Sequence, residues 1–157
     1  MDRRDVLRLT ATATLGLALL PSQAMAQQSE IEKVKAALDA FGAALSARDM
    51  GKMEAVWAHD PDAMLINPRD KSVAVGWDEI KKRWEAVFSA WSELKVTRTA
   101  GPIRISGNIA WATGIAEVVG KTKAGVEQNA PTLSSDVFEK RGDKWLMVSH
   151  SAWRVPQ

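Results

Sequence analysis

The N-terminal half of the chain carries apolar residues at helical spacing. Apolar side chains recur every three or four residues from Ile31 to Leu45, which predicts an amphipathic helix with one apolar stripe. Ser29 and Glu32 have the spacing of a capping box, so we expect this helix to begin at Ser29.

Two further helices and two short strands are predicted before residue 92. Asp49 is a favourable N-cap for a short second helix, which Pro61 is expected to end. The clearest helical pattern is GWDEIKKRWEAVFSAW, residues 76–91, whose apolar side chains share one face. The segments AMLIN, residues 63–67, and SVAV, residues 72–75, read as short strands.

After Trp91 the apolar pattern changes to period two and keeps that period to the end of the chain. Gly107-Asn108 predicts a tight hairpin turn between two of the strands. Five strands are predicted, over residues 93–99, 102–106, 109–119, 131–140 and 145–153. Helices followed by antiparallel strands indicate an α+β domain, with helices on one face of a curved sheet that encloses a cone.

The first 26 residues are predicted to be a cleavable export signal. Arg3 and Arg4 form a twin arginine, residues 9–20 are a mildly apolar run, and Ala24 and Ala26 fit a small-x-small cleavage rule. The apolar run is too short to span a membrane. We therefore expect a single mature domain, residues 27–157, in the periplasm or secreted, with no membrane anchor after cleavage. An uncleaved anchor or a frayed helix is the alternative.

Composition excludes several kinds of site. The chain has no Cys and no Tyr, and its two His cannot form a multi-His metal centre. The leader holds three arginines and two aspartates, so its removal lowers the formal charge from +2 to +1. Such a small charge gives no reason to expect nucleic-acid binding. We predict neither a metal nor a cofactor.

Several segments, taken in order, resemble one known superfamily. They are ALSARDMGKMEAVWAHD (residues 44–60), INP (66–68), GWDEIKKRW (76–84) and the final strand pair SSDVFEKRGDKWLMVSHSAW (134–153). Together they resemble the nuclear transport factor 2-like superfamily, in the branch of SnoaL-like polyketide cyclases and ketosteroid isomerases. The resemblance implies a cone-shaped fold, with about three N-terminal helices packed on a strongly curved, mainly antiparallel sheet.

The resemblance also argues against the classical isomerase reaction. That chemistry uses a carboxylate base and an oxyanion hole made of a Tyr and a protonated Asp. The resemblance places Asn67 at the base position, Phe41 at the Tyr position and Asp136 at the second Asp. An amide cannot accept a proton from carbon, and Phe has no donor, so steroid isomerisation is not expected.

Asp136 and His150 are the candidate catalytic residues. Alternation places Asp136 on one face with Ser134 and Phe138, where burial would raise its pKa and make it an acid or donor. His150 is a possible base, on a face predicted to include Leu146, Val148 and Ala152. The alternatives are a structural Asp, and a His bonded to backbone or at a subunit contact.

The candidate ligand-binding residues are mostly aromatic. Asn67 and Thr113 are expected to hydrogen-bond a ligand that lies among Trp57, Trp84 and Trp111, with Phe41 nearby. Alternatively, these side chains fill the cone completely. The polar cluster from His59 to Asp62 has no metal-binding motif and is predicted to be a helix-ending turn.

Three functions remain open from the sequence. The first is an exported domain that binds a small apolar or aromatic molecule. The second is a cyclase, hydrolase or isomerase that uses Asp136 and His150 as acid and base. The third is an association module, because the resemblance implies homodimers formed through the sheet, and this role is compatible with either of the others.

Overall fold

The computed structural model describes residues 19–155, which form three helices and six strands. The helices are α1 (Leu19–Ala47), α2 (Met50–Val56) and α3 (Trp77–Ala90). The strands are β1 (Met64–Ile66), β2 (Ala74–Val75), β3 (Trp91–Ser106), β4 (Ile109–Thr122), β5 (Glu127–Arg141) and β6 (Lys144–Arg154).

All six strands belong to one curved, open sheet in the order β2-β1-β6-β5-β4-β3. Only the β1–β6 pair is parallel, and the other neighbours are antiparallel. The three helices pack on one face of this sheet and bury the apolar stripes that the helical periodicity indicated. The predicted α+β cone fold is therefore confirmed. Its core includes Val34, Phe41, Ile80, Trp84, Leu65, Phe138 and Met147.

Helix α1 differs from the prediction at its N-terminal end. It is already helical at Leu19, so Ser29 does not begin it. Residues 22–28 are mainly Ala, Gln, Ser and Met, with no Gly or Pro, and most of them tolerate a helix well. The side chains of residues 22–29 are exposed, and residues 1–18 of the predicted leader lie outside the described part of the chain. No helix within residues 19–155 has the length and apolar character needed to cross a membrane.

Glu30 joins α1 to the last hairpin. Its carboxylate accepts a hydrogen bond of 2.8 Å from Trp145 Nε1 and forms ion pairs of 2.9 Å with Lys140 and Lys33. Hydrogen bonds from Lys140, Lys33 and Trp145 lower the pKa of Glu30 to about 2. The helix is therefore tied to the sheet just beyond the exposed segment.

Helix α2 begins as predicted but ends earlier. The Asp49 side chain accepts a hydrogen bond of 3.0 Å from the Lys52 backbone N–H, which is the expected N-cap. The helix ends at Val56 because Trp57 adopts an extended backbone and forms a parallel bridge with Met147. Pro61 therefore does not end the helix.

Strand β3 is one long strand across the two predicted segments. The register shifts between Ala100 and Ile103, beside Gly101. A Cβ atom on Gly101 would lie 2.6 Å from the Thr113 carbonyl oxygen, so only glycine allows this close approach.

Strand β6 contains a β-bulge that the sequence pattern did not predict. Val137 pairs with Ser149 and Phe138 pairs with Met147, which leaves Val148 as an extra residue. Trp145 and Met147 before the bulge are buried, and so are His150 and Ala152 after it. The predicted face that joined Leu146 and Val148 to His150 is wrong, because the extra residue reverses the alternation.

Candidate functional site

A cavity of about 210 Å³ lies between the helices and the inner face of the sheet. Apolar side chains form much of its wall, among them Leu45, Val87, Leu94, Val96, Val118 and Ala130. Its buried end is polar and is lined by Ser134, Thr132 and His150, whereas the exposed arginines Arg69 and Arg154 line its outer part. The cavity thus pairs an apolar wall with a polar inner end.

Asp136 is fully buried and is the centre of a hydrogen-bonded cluster beside this cavity. Asp136 lies directly opposite His150 in the β5–β6 register, and Nδ1–H of His150 donates to Oδ1 over 2.6 Å. Arg98 Nη2 donates to Oδ2 of Asp136 over 2.7 Å and to Ser134 Oγ over 3.1 Å. The Ser134 hydroxyl also donates to Oδ2 over 3.1 Å. The pairing of β5 with β6 therefore places Asp136 beside His150, and the long Arg98 side chain reaches this pair from β3.

Small residues on β4 make this assembly possible. Arg98 is on β3 and Asp136 is on β5, so the arginine side chain has to cross the intervening strand β4. The inner face of β4 presents Ala112 opposite Asp136 and Ala116 opposite Arg98. Larger residues at these two positions would occupy the space that the guanidinium uses.

Asp136 is a carboxylate and not the acid that the sequence indicated. Burial raises its pKa, but the hydrogen bond and charge of His150, together with those of Arg98, outweigh burial and hold the pKa below its ordinary value. The prediction of a raised pKa is therefore wrong, because alternation showed the burial of Asp136 but not the arginine beside it. In its ionised form Asp136 accepts the hydrogen bond from His150 Nδ1 and carries no proton of its own.

His150 is held so that one ring nitrogen remains for chemistry. Its ring lies 4.9 Å from the Phe41 ring and 6.2 Å from the Trp84 ring, measured between centroids. With Nδ1–H donating to Asp136, the neutral form of the imidazole carries its lone pair on Nε2, which makes no hydrogen bond to the described residues. Because His150 lines the cavity, it can accept a proton or a hydrogen bond from a ligand.

Asn67 and Trp84 also line the cavity, as predicted. Both side chains carry a buried N–H group, Nδ2 of Asn67 and Nε1 of Trp84, without a hydrogen-bond partner in the described chain. Asn67 follows β1, whose parallel pairing with β6 puts Leu65 opposite His150. The structure thus brings together Asp136, His150, Asn67 and Trp84, and their functional roles stay predictions.

The other predicted ligand residues lie elsewhere. Phe41 supports the site from behind, with its ring 5.7 Å from Trp84 and beneath the Arg98 guanidinium at 5.8 Å. Trp57 is buried in the core outside the cavity.

Trp111 and Thr113 are exposed on the outer face of β4, with 44% of Trp111 accessible. The prediction that these two residues lie in the cone is wrong. The face of β4 that points inward is the one that carries Ala112 and Ala116, and the Arg98 side chain crosses it.

Arg98 is the site residue that sequence reasoning missed. The sequence contained a pattern that could have identified this residue. Leu94, Val96 and Arg98 occupy every second position of a predicted strand and therefore share one face. A charged residue that continues an apolar face indicates a buried ion pair, and Arg98 has only 10% of its side chain exposed.

The polar segment after α2 is not part of this site. The His59 ring stacks on Trp77 at 4.2 Å, and Asp60 is bound by the Arg141 guanidinium through both carboxylate oxygens. Asp62 is exposed. Among residues 19–155, no group of three or more His, Asp or Glu side chains is arranged to hold a metal ion.

Comparison with known proteins agrees with this architecture. A family model described as "SnoaL-like domain" matches residues 34–153. No curated protein matches the chain.

Three solved structures illustrate the shared fold. A nuclear transport factor 2 (NTF2-like) superfamily protein from Salmonella enterica serovar Typhimurium is 16% identical, with a TM-score of 0.77 over 83% of this chain and 94% of that chain. A ketosteroid isomerase-like protein from Erwinia carotovora is 20% identical, with a TM-score of 0.72 over 82% and 98%.

The third is provisionally named a calcium/calmodulin-dependent protein kinase type II association domain, from Thiobacillus denitrificans. It is 24% identical, with a TM-score of 0.68 over 78% of this chain and 94% of that chain. The similarity to these three structures shows a shared fold. The family model, which matches residues 34–153, covers most of the sequence. The chain belongs to the SnoaL-like domain family, as its sequence resemblance indicated.

Proposed function

We propose that the cavity binds a small, mainly apolar or aromatic molecule, with the molecule's polar group directed toward His150. The observation that supports this proposal most directly is the open volume of about 210 Å³ behind an apolar wall, with a polar inner end. This volume is several times the roughly 30 Å³ that a water molecule occupies in the liquid. It therefore favours a ligand over the alternative of a completely filled cone.

Adjacent valines on β4 provide a matched test. Val118 lines the cavity, whereas Val119 is exposed on the outer face. Val118→Phe should fill the cavity and abolish binding, and Val119→Phe should leave binding unchanged. Native mass spectrometry of copurified small molecules, followed by calorimetric titration of a panel of aromatic compounds, measures both variants. Equal binding by the two variants would contradict the proposal.

An enzymatic role is the second candidate, and the oriented His150 favours it. His150 Nε2 would take a proton from the bound molecule, and the Asp136 carboxylate would stabilise the imidazolium that forms. In this scheme Asp136 acts through His150 and does not itself supply the proton, because its pKa is held low. A cyclase, hydrolase or isomerase would each use such a base.

Substitution separates the enzyme from a simple binder. After a substrate screen, His150→Gln and Asp136→Asn should each remove turnover while ligand affinity stays within about twofold. Loss of affinity without any turnover in the wild type would favour the binder.

A homodimer formed through the outer face of the sheet is compatible with both roles. Large apolar side chains are exposed there, including Trp111, Ile115, Val119 and Trp153. An apolar patch of this kind is typical of an association surface.

We also propose that the chain is exported and loses residues 1–26. The exposure of residues 22–26 is consistent with the removal of residues 1–26, since no core residue lies among residues 22–26. Mass spectrometry of the N-terminus of periplasmic protein tests the cleavage, and residues 1–26 still attached would contradict it. Replacing Arg3 and Arg4 by Lys should stop export if the twin-arginine route is used.

A further inference from the structure

Arg69 and Arg154 line the outer part of the cavity without a partner of opposite charge. Both residues are exposed, and within residues 19–155 neither guanidinium forms a hydrogen bond or an ion pair with another residue. Both also line a second cavity of about 560 Å³, and Gln128 and Ala130 are the other residues common to the two cavities. These shared residues therefore mark the mouth of the inner cavity.

The other charged side chains in the wall of the inner cavity are already paired. Arg98 forms an ion pair with Asp136, and Asp70 forms one of 2.8 Å with Arg83. Glu127 lines only the second cavity. Among the described residues of the inner cavity, the excess positive charge is therefore confined to the mouth, which favours a ligand with a negative charge at its outer end.

The parallel pairing of β1 with β6 brings the two arginines to the same end of the cavity. Leu65 lies opposite His150, and Arg69 and Arg154 each follow four residues later, in chain segments that leave this pair in the same direction. Alternation along β6 places His150, Ala152 and Arg154 in the wall of the cavity. Four residues of an extended strand cover about 13 Å, which sets the distance between the imidazole and the mouth.

We infer that the ligand is a small aromatic carboxylic acid, whose carboxylate binds Arg69 and Arg154 at the mouth while its ring lies against the apolar wall. This inference rests on the proposed function, because it requires the cavity to bind a small molecule. A guanidinium presents paired N–H donors that match the two oxygens of a carboxylate. The arginine side chains and the imidazole cover part of the span between them, so a single ring with a short side chain covers the rest. A hydroxyl group at the inner end of such an acid donates to His150 Nε2.

The compounds para-hydroxycinnamate and para-hydroxycinnamamide are matched probes, because they share one shape and differ in the charge of the carboxyl end. The wild type should bind the acid more tightly than the amide. Arg69→Met and Arg154→Met should each weaken acid binding about 3- to 10-fold and change the affinity for the amide less than about twofold. Added salt should weaken binding of the acid but not of the amide. Isothermal titration calorimetry measures all these affinities.

Arg104→Met is the control variant for the loss of one positive charge. Arg104 is exposed on β3 and lies outside both cavities, so its replacement should change neither affinity. Val118→Phe fills the inner cavity and should abolish binding of both probes. Acid binding that survives in Val118→Phe would be a contact with the exposed arginines alone, and it would overturn the inference.

Failure of carboxylate recognition is distinguishable from failure of the proposed function. If the wild type binds the acid no more tightly than the amide, carboxylate recognition is overturned while small-molecule binding stands. The same conclusion follows if Arg104→Met weakens acid binding as much as Arg154→Met does, because the effect then reflects net charge alone. If neither probe binds the wild type, carboxylate recognition is overturned, and the valine variants with the wider panel of aromatic compounds decide whether the cavity binds anything.

Discussion

Asp136 owes its ionisation to two side chains that come from different strands. His150 and Arg98 each bind one carboxylate oxygen, and together they overcome the effect of burial on the pKa. Since the folded-state pKa of Asp136 lies below its ordinary value near 3.8, the carboxylate favours the folded state above that pH. Its contribution to stability is lost as the pH falls through the lower, folded-state pKa.

This linkage predicts a pH-dependent difference between variants. The free energy of unfolding of the wild type should fall more steeply below about pH 4 than that of Asp136→Asn, which cannot titrate at this position. Urea denaturation from about pH 6 to pH 2.5 measures the slopes. Asp62→Asn, in an exposed turn, is the control and should keep the wild-type slope. Parallel curves for Asp136→Asn and the wild type would contradict the lowered pKa.

Arg98 provides a second prediction at the residue scale. Arg98→Met leaves the buried Asp136 without its arginine partner, and we expect a loss of about 3 kcal/mol in the free energy of unfolding at neutral pH. Arg104→Met is the matched control, because Arg104 lies on the same strand with an exposed side chain. Urea denaturation measures both variants, and equal losses would show that the Arg98 pair does not stabilise the fold.

At the scale of elements, the period-two pattern of apolar residues predicted which side chains of a strand are buried only where that alternation is unbroken. The shared face of Ser134, Asp136 and Phe138 on β5 was predictable, and all three residues are buried. The choice of inner face on β4 was not, because it depends on Arg98 reaching across from β3. The bulge at Val148 was not predictable either, since it is defined by pairing with β5.

Helix α1 gives the prediction at this scale. A chain that begins at Gln27 removes exposed helix but leaves the Glu30 contacts with Trp145 and Lys140. Its free energy of unfolding should differ from that of the full chain by less than about 1 kcal/mol, with a smaller helical signal in circular dichroism. A chain that begins at Lys33 loses Glu30 and should be clearly less stable. Equal stability of the two truncated chains would contradict the role of Glu30.

At the scale of the whole molecule, element order was enough to predict the fold, whereas the site depends on contacts across the sheet. Asn67, Arg98, Asp136 and His150 come from four separate parts of the chain. Helical and period-two patterns report local burial, so they suggested Asp136 and His150 as candidates. They carry no information on which side chain crosses a neighbouring strand, so they missed Arg98.

The outer face of the sheet leads to the prediction for the assembly. The strand register aligns Ile115, Leu133 and Trp153 side by side across β4, β5 and β6. If this row forms the dimer interface, Ile115→Lys should convert the dimer to a monomer in analytical ultracentrifugation, because a buried unpaired charge is costly. Ala86→Lys, on the exposed side of α3, should leave the mass unchanged. A monomeric wild type would contradict the dimer.

The extra residue at Val148 sets the two halves of β6 out of phase with each other. Because the bulge absorbs this one residue, it decides which side of the sheet carries the imidazole. A homologue that lacks this residue would alternate regularly and would still turn its histidine toward the cavity. The same residues paired without a bulge would instead present Ser149 and Ser151 to the cavity and turn the histidine toward the outer face. A sequence alignment that places the gap elsewhere in this strand would therefore attribute the chemistry of the cavity to the wrong residues.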